Sequence, residues 1–347
     1  MREVIINGKF YSDNMQGIVR YGKELVPELD KLLSKKDRVI LAVPYNAQDI
    51  PKLKNIKTVR VGKRAGIKWE MLDLSRFIRK HKKAICLNFC NVTPLFVQSG
   101  VTVVHDIMYK VLPDNYTSLR NKISRLWHIF QYSYIMHHEK YIITVSNFSK
   151  KDIEKHYSSA IGKVHVVPSA WQHVLKFKEA PDWQSRYPFL KPKNYLFSLS
   201  QLSKNKNGRW IIEAAKHNPD MTFAMAGKMY ETEYSDIPSN VHMLGFISDE
   251  DACSLMKNCR AFIFPSLYEG FGLPPLEAMG LGSDVIVSNA TSLPEVYGDC
   301  AHYIDPMNYD VDFDSILNEP LKDKKEVLDK YSFQKSAKLL YDIICNV

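Results

Sequence analysis

No apolar run in this 347-residue chain approaches the roughly 18 residues that a membrane-spanning helix needs. Its cysteines, at positions 86, 90, 253, 259, 300 and 345, form no CxxC pair and no metal-finger spacing. That excludes a zinc ribbon and leaves reduced thiols in a cytoplasmic protein as the reading. Neither an HExxH pair nor an acidic calcium loop occurs, so no metal site is expected. The opening residues, Met1 to Asn7, read as a first strand and not as a signal peptide. No nucleic-acid-binding motif is present, which argues against nucleic acid as a partner.

What is there fits a globular protein with two ordinary domains, since 45% of residues are hydrophobic and 24% charged. Charge is uneven along the chain. Residues 1–180 hold 31 Lys+Arg and 15 Asp+Glu, a net of +16, which leaves −7 for residues 181–347 and gives the total of +9. An anionic partner for the first half is implied, and without a nucleic-acid motif that partner is an acidic membrane surface.

The most informative stretch runs from Ala261 to Val296. Ala261 to Pro265 is a short apolar run that reads as a buried strand. A loop, Ser266-Leu267-Tyr268-Glu269-Gly270-Phe271-Gly272, leads to Pro274 and Pro275 and a helix carrying Leu276-Glu277-Ala278-Met279. Val285 to Val287 begins the next strand. Free N–H groups at such a helix start suit a phosphate. Glu269 and Glu277 flank it, and carboxylates repel phosphate but accept the paired hydroxyls of a sugar or ribose. A ligand with phosphates in the middle and sugars at both ends, a nucleotide sugar, satisfies both demands. A plain helix-start acid beside a surface-loop acid would look the same.

The whole stretch resembles the donor-site signature of retaining glycosyltransferases of family 4, which have the GT-B fold. Only Asp284 departs from the pattern, where the family usually has proline. The resemblance implies an α/β protein of two doubly wound Rossmann-like domains facing each other across a cleft. It implies donor-binding roles for Gly270, Phe271, Gly272, Leu273 and Glu277, with Glu269 on the transferred sugar.

Strand-like runs at Val4–Ile6, Val39–Val43, Thr58–Val61, Ala84–Leu87, Val101–Val104, Tyr141–Val145 and Val164–Val167 alternate with helical stretches, the pattern of a parallel α/β domain. Gly17 opens a helix running to about Leu33, and Arg20 on its first turn can reach an anion. Family members have a comparable helix start, which implies donor or acceptor contacts for Gly17 and Arg20. His105 ends a strand, and the resemblance places such a histidine at the sugar being transferred. Ser146 is expected to cap a helix. Two basic stretches are open to two readings, an amphipathic membrane-surface helix or a sheet-covering helix with a solvated basic face. For Leu72–Lys83 both stand; Leu119–Lys140 is read as sheet cover.

Residues 174–193, with three prolines and no period, are expected to link a first domain (1–173) to a second (194–333), and 334–347 to pack back on the first. Strands are expected at Tyr195–Leu199, Met221–Ala226, Val241–Leu244, Ala261–Phe264 and Val285–Val287. By resemblance Lys206 neutralises the donor diphosphate, while Gln201 stands where relatives carry arginine. Gly227 and Phe246 fall near the nucleobase. Ser169 to His173 replaces the family's Asn-Gly-Val-Asp and is similar to rhamnosyltransferases, which points to dTDP-rhamnose. The expected activity is metal-independent transfer of a sugar, with no cofactor, to a glycan or lipid-linked acceptor at the cytoplasmic face of the plasma membrane. A nucleotide-sugar 2-epimerase and a non-catalytic basic binding protein are the alternatives.

Overall fold

The computed structural model describes residues 3–15, 17–98, 100–200, 203–227 and 236–346. The chain divides into two compact units, Met1–Ser169 with Phe333–Val347, and Ala170–Ser332. In the first, strands β1 (Val4–Asn7), β2 (Val39–Val43), β3 (Lys57–Arg60), β4 (Ile85–Asn88), β5 (Val101–Val103), β6 (Tyr141–Thr144) and β7 (Val164–Val166) form one sheet in the order β3-β2-β1-β4-β5-β6-β7. All its ladders are parallel, with Val4 opposite both Val39 and Ile85. Central parallel strands are covered on both faces, which is why β1 and β2 read as apolar runs, while the edge strand β3 is largely exposed. Trp69, Leu74 and Ile78 pack beside Ile5, Ala42 and Cys86. Tyr132, Ile135 and Met136 pack with Val104, Ile142 and Ile153. The Phe333–Cys345 helix lies against the Gly17–Leu32 helix, and Ser336 Oγ donates to the Pro168 carbonyl at 2.7 Å.

The second unit repeats the plan with β8 (Tyr195–Leu199), β9 (Thr222–Ala226), β10 (Val241–Gly245), β11 (Ala261–Phe264), β12 (Asp284–Ser288) and β13 (His302–Ile304) in the order β10-β9-β8-β11-β12-β13, again parallel. Trp210, Ile211, Phe223, Ile263, Ile286 and Phe313 share its core. β13 is not among the expected strands, since its His-Tyr-Ile carries no apolar run.

The expected linker takes a different place. Residues 174–193 lie within the second unit, because Ala180, Trp183 and Leu190 are buried and the Ala180 N–H donates to Ser254 Oγ at 2.8 Å. Prolines and absent periodicity describe an irregular segment, and they do not make it a free one. Leu72–Lys83 also differs from the expected grouping of Leu72, Phe77 and Ile78. A π-helical turn over Trp69–Leu74 precedes the Ser75–Lys80 helix, so Leu74 and Ile78 are buried while Leu72 is exposed. This stretch covers the sheet.

At the point between β1 and β4 where strand order reverses, a buried polar chain crosses the first unit. Asn7 Nδ2 donates to Glu70 Oε1 (2.9 Å) and Asn88 Oδ1 (3.0 Å). Asn88 Nδ2 donates to Thr93 and Thr102, whose hydroxyls donate to Glu139 Oε1 at 2.9 and 3.2 Å. Burial pushes Glu70 up to about 7, opposed by the Lys9 ammonium and the Asn7 bond. Burial likewise raises Glu139, against its bonds from Gly100 and Thr93. A carboxyl raised on folding stabilises below its unfolded value of 4.5 and loses that contribution as pH rises through 7. Glu70→Gln is therefore expected to flatten the fall in melting temperature between pH 5 and pH 8, on the order of 1–3 kcal/mol of pH-dependent stability. Melting curves at the two pH values check it; an unchanged slope would mean that Glu70 is not the titrating group.

Candidate functional site in the second unit

Parallel winding sends all strand ends of the second unit to one edge, and there the signature loops gather. After β11, Ser266 Oγ donates to the Asn205 carbonyl (2.9 Å) and lies 2.7 Å from Glu269 Oε1. The Leu267 N–H also donates to Asn205 O at 2.8 Å, so the 204–206 turn and the 265–269 loop are laced together. Lys206 Nζ reaches Glu269 Oε1 at 2.5 Å and sits 5.3 Å from the Phe264 ring centre. Glu269 is held from behind as well: its N–H donates to Thr291 Oγ1 (3.2 Å) and its carbonyl accepts from Ser292 Oγ (3.0 Å). Thr291 adopts φ +55°, an uncommon conformation for a β-branched residue. Asn207, also left-handed at φ +55°, ties the turn to the carbonyls of Pro265 (3.2 Å) and Pro306 (2.9 Å).

The next helix spans Leu273–Gly280 and has no side-chain cap. Its N-cap, Gly272, has φ +83°, and a Cβ there would stand 2.3 Å from Leu293 Cδ2, so glycine is required. The helix start supplies few amides: Pro274 and Pro275 carry no N–H, which leaves those of Gly272 and Leu273. The Tyr297 hydroxyl donates to the Gly272 carbonyl at 2.5 Å. Phe271 is buried edge-on against Tyr331, with ring centres 5.1 Å apart. Its side chain therefore packs the loop, and only its backbone faces a ligand role.

Glu277 occupies the second turn of this helix, and His173 Nε2 lies 2.7 Å from Glu277 Oε1. Sequence reasoning did not single out His173 as a site residue. Its signal was the departure at Ser169–His173, which the structure explains by packing. Gly280 has no side chain, and a Cβ there would fall 2.2 Å from Trp171 Cε3. The indole thus sits directly on the helix, with Nε1 donating to the Leu328 carbonyl at 3.1 Å, and seats His173 beside Glu277.

Other expected residues are spread more widely. Gly227 and Phe246 follow β9 and β10 at the same edge, the Gly227 N–H donating to the Gly245 carbonyl (2.8 Å) and the Phe246 side chain almost fully exposed. Gln201 lies outside the described residues. Gly17, Arg20 and His105 belong to the first unit. Gly17 begins the Gly17–Leu32 helix. His105 is buried beneath Tyr21, its Nε2–H donating to the Phe89 carbonyl at 2.9 Å and its own N–H to Asn91 Oδ1 at 2.8 Å. Burial lowers its imidazole to about 4, against the pull of the Phe89 bond, so at pH 7 it is neutral and can offer polarity but not a positive charge. Ser146 caps its helix as expected, accepting from the Ser149 N–H at 3.0 Å. Among the described residues no group of three metal-binding side chains gathers, and no helix is long and apolar enough to cross a membrane.

Residues 179–329 match the family model described as glycosyl transferases group 1. That match spans most of the second unit. Among curated proteins, the chain is 28% identical over 240 residues to the O-antigen chain mannosyltransferase B of Escherichia coli, a match covering 62% of this chain and 60% of that protein. Less than two thirds of that relative's length is therefore spanned. Among solved structures, HepE from Anabaena, determined with UDP and glucose, aligns at TM-score 0.65 and 15% identity over all of both chains. Sucrose-phosphate synthase from Thermosynechococcus elongatus aligns at 0.66 and 15%, covering 99% of this chain and 95% of that one. The fold is GT-B, built from two Rossmann-like units.

Gly280→Ala is expected to force Trp171 off the helix, at a cost of about 1–3 kcal/mol for overpacking. A urea midpoint equal to wild type would show that the indole does not occupy that face.

Proposed function

We propose that the protein transfers a hexosyl group from a nucleoside diphosphate donor to a hydroxyl of a growing cell-surface glycan or lipid-linked saccharide. The reading includes retention of anomeric configuration and no divalent ion. One observation carries it: Lys206 and Glu269 meet beside an uncapped helix start whose second turn holds Glu277. In the reaction the bond between the anomeric carbon and the phosphate oxygen breaks, and the diphosphate leaves with the electron pair. The acceptor oxygen bonds to the same face of that carbon, and its proton passes to the leaving phosphate. Lys206 and the Gly272 and Leu273 amides stabilise the charge growing on the diphosphate, the role a metal ion would otherwise serve. Glu277, held by His173, accepts the ribose hydroxyls, and Glu269 accepts hydroxyls of the donor sugar. In the first unit His105, neutral and fixed, is a candidate partner for a sugar hydroxyl, and Gly17 and Arg20 lie in the same unit.

The relative above is named a mannosyltransferase, so we propose mannose in place of the rhamnose suggested by Ser169–His173. Those residues have a packing duty that accounts for their sequence.

The test is equilibrium binding of nucleoside diphosphate mannose, glucose and rhamnose to the purified protein, with Glu277→Ala and His173→Ala beside wild type. Loss of a charged hydrogen-bond partner at Glu277 should weaken donor binding by about 1.5–3 kcal/mol, on the order of 10- to 150-fold. His173→Ala should weaken it less, since the carboxylate remains. Excess chelator should leave turnover unchanged. No selective donor, or a Glu277→Ala variant that binds like wild type, would sink the reading.

A further inference from the structure

The Leu119–His138 helix is apolar on two opposite faces. Tyr132, Ile135 and Met136 are fully buried in the first unit. On the other side Leu119, Ile123, Leu126 and Phe130 follow one another at spacings of four, three and four, which puts them on a single stripe. That stripe faces solvent: with Phe96 beside it, these side chains are between 49% and 81% exposed. Phe96 extends the stripe because its N–H donates to the Tyr134 hydroxyl of the same helix at 3.1 Å. It does so from φ +58°, a conformation that bulky residues rarely adopt. Soluble proteins scatter exposed apolar side chains singly, and a continuous row along a helix calls for an occupant.

Charge identifies the occupant. The helix carries Arg120, Lys122 and Arg125 and no acidic residue among its twenty. Arg120 and Lys122 flank the stripe on opposite sides, and both are exposed. Apolar side chains between basic flanks are the pattern of a helix lying in the headgroup layer of an anionic bilayer, with long basic side chains reaching up to the phosphates. The surrounding sequence reinforces it, since residues 1–180 carry the net +16. The reading of this helix as plain sheet cover with a solvated basic face is thus corrected: its outward face is apolar with a basic rim.

We propose that this face docks the protein on an anionic lipid bilayer, with Leu119, Ile123, Leu126, Phe130 and Phe96 entering the headgroup boundary. The helix begins beyond the carboxyl end of β5, on the side of the sheet where His105 lies. That placement deepens the proposed function, on which it rests only for the idea that the acceptor is carried by a lipid.

The test is co-sedimentation of the purified full chain with vesicles of phosphatidylcholine alone or mixed with phosphatidylglycerol, without donor. Wild type should bind the mixed vesicles, weakly or not at all the neutral ones, and less as salt is raised. Leu126→Glu with Phe130→Glu should reduce binding at least about tenfold, and Arg120→Glu with Lys122→Glu should reduce it and flatten its salt dependence. Melting temperature and donor affinity of both variants should stay at wild-type values, since all four side chains are exposed and lie in the first unit. Absence of binding to mixed vesicles, or binding unchanged in the Leu126/Phe130 variant, overturns the proposal. So does light scattering that shows a dimer which this variant dissolves, because the occupant is then a second copy. Failure of donor binding leaves the vesicle result untouched, so the two readings fail separately.

Discussion

Parallel pairing is the constraint from which the rest of the structure follows. A parallel strand cannot return by a tight turn, so each must be followed by a crossover, and all carboxyl ends in a sheet come out on one edge. In the first unit that edge collects Asn7, Asn88 and the loop bearing His105. In the second it collects the 204–206 turn, Gly227, Gly245 and the 265–272 loop. Residues far apart in sequence, such as Lys206 and Glu269, meet because topology delivers both to the same place. Loops at such an edge are free to vary, since the sheet beneath already holds them in position.

The second constraint is satisfaction of buried polarity. The chain from Glu70 through Asn7, Asn88 and Thr102 to Glu139 runs across β1, β4 and β5 through otherwise apolar packing. Each member would be costly alone, and the set is tolerated because its donors and acceptors match. The Trp69–Leu74 π-helical turn brings both Glu70 and Asp73 inward: Glu70 meets Asn7, while Asp73 accepts from the Arg64 N–H (3.0 Å) and guanidinium (2.5 Å). Such a turn takes one extra residue into the helix.

Much of this was legible beforehand because parallel strands advertise themselves. Twelve of the expected apolar runs became β1 to β12 with shifts of a residue or two, and the Ala261–Val296 stretch formed the expected strand, loop, helix and strand. What escaped reading was set by contacts distant in sequence. The burial of Trp183 and Leu190 could not be seen in a proline-rich stretch without its partners. Trp171 and His173 looked like a departure from a family pattern until Gly280 showed where the indole rests. The outward stripe on the Leu119–His138 helix was present in the spacing, but a helix with two apolar faces resembles a wholly buried one until one face is found covered and the other bare.

The ion pair between Lys206 and Glu269 has a consequence for discrimination. An empty phosphate site with an unpaired lysine would attract any small anion in its surroundings. Here the ammonium already has a carboxylate against it, so a bare phosphate must displace that carboxylate and leave it without its cation. A ligand that brings a phosphate to Lys206 and hydroxyls to Glu269 in the same act compensates both halves of the broken pair. If the proposed donor site is right, the pair would act as a coincidence detector, rewarding only molecules that carry the two groups at the right separation.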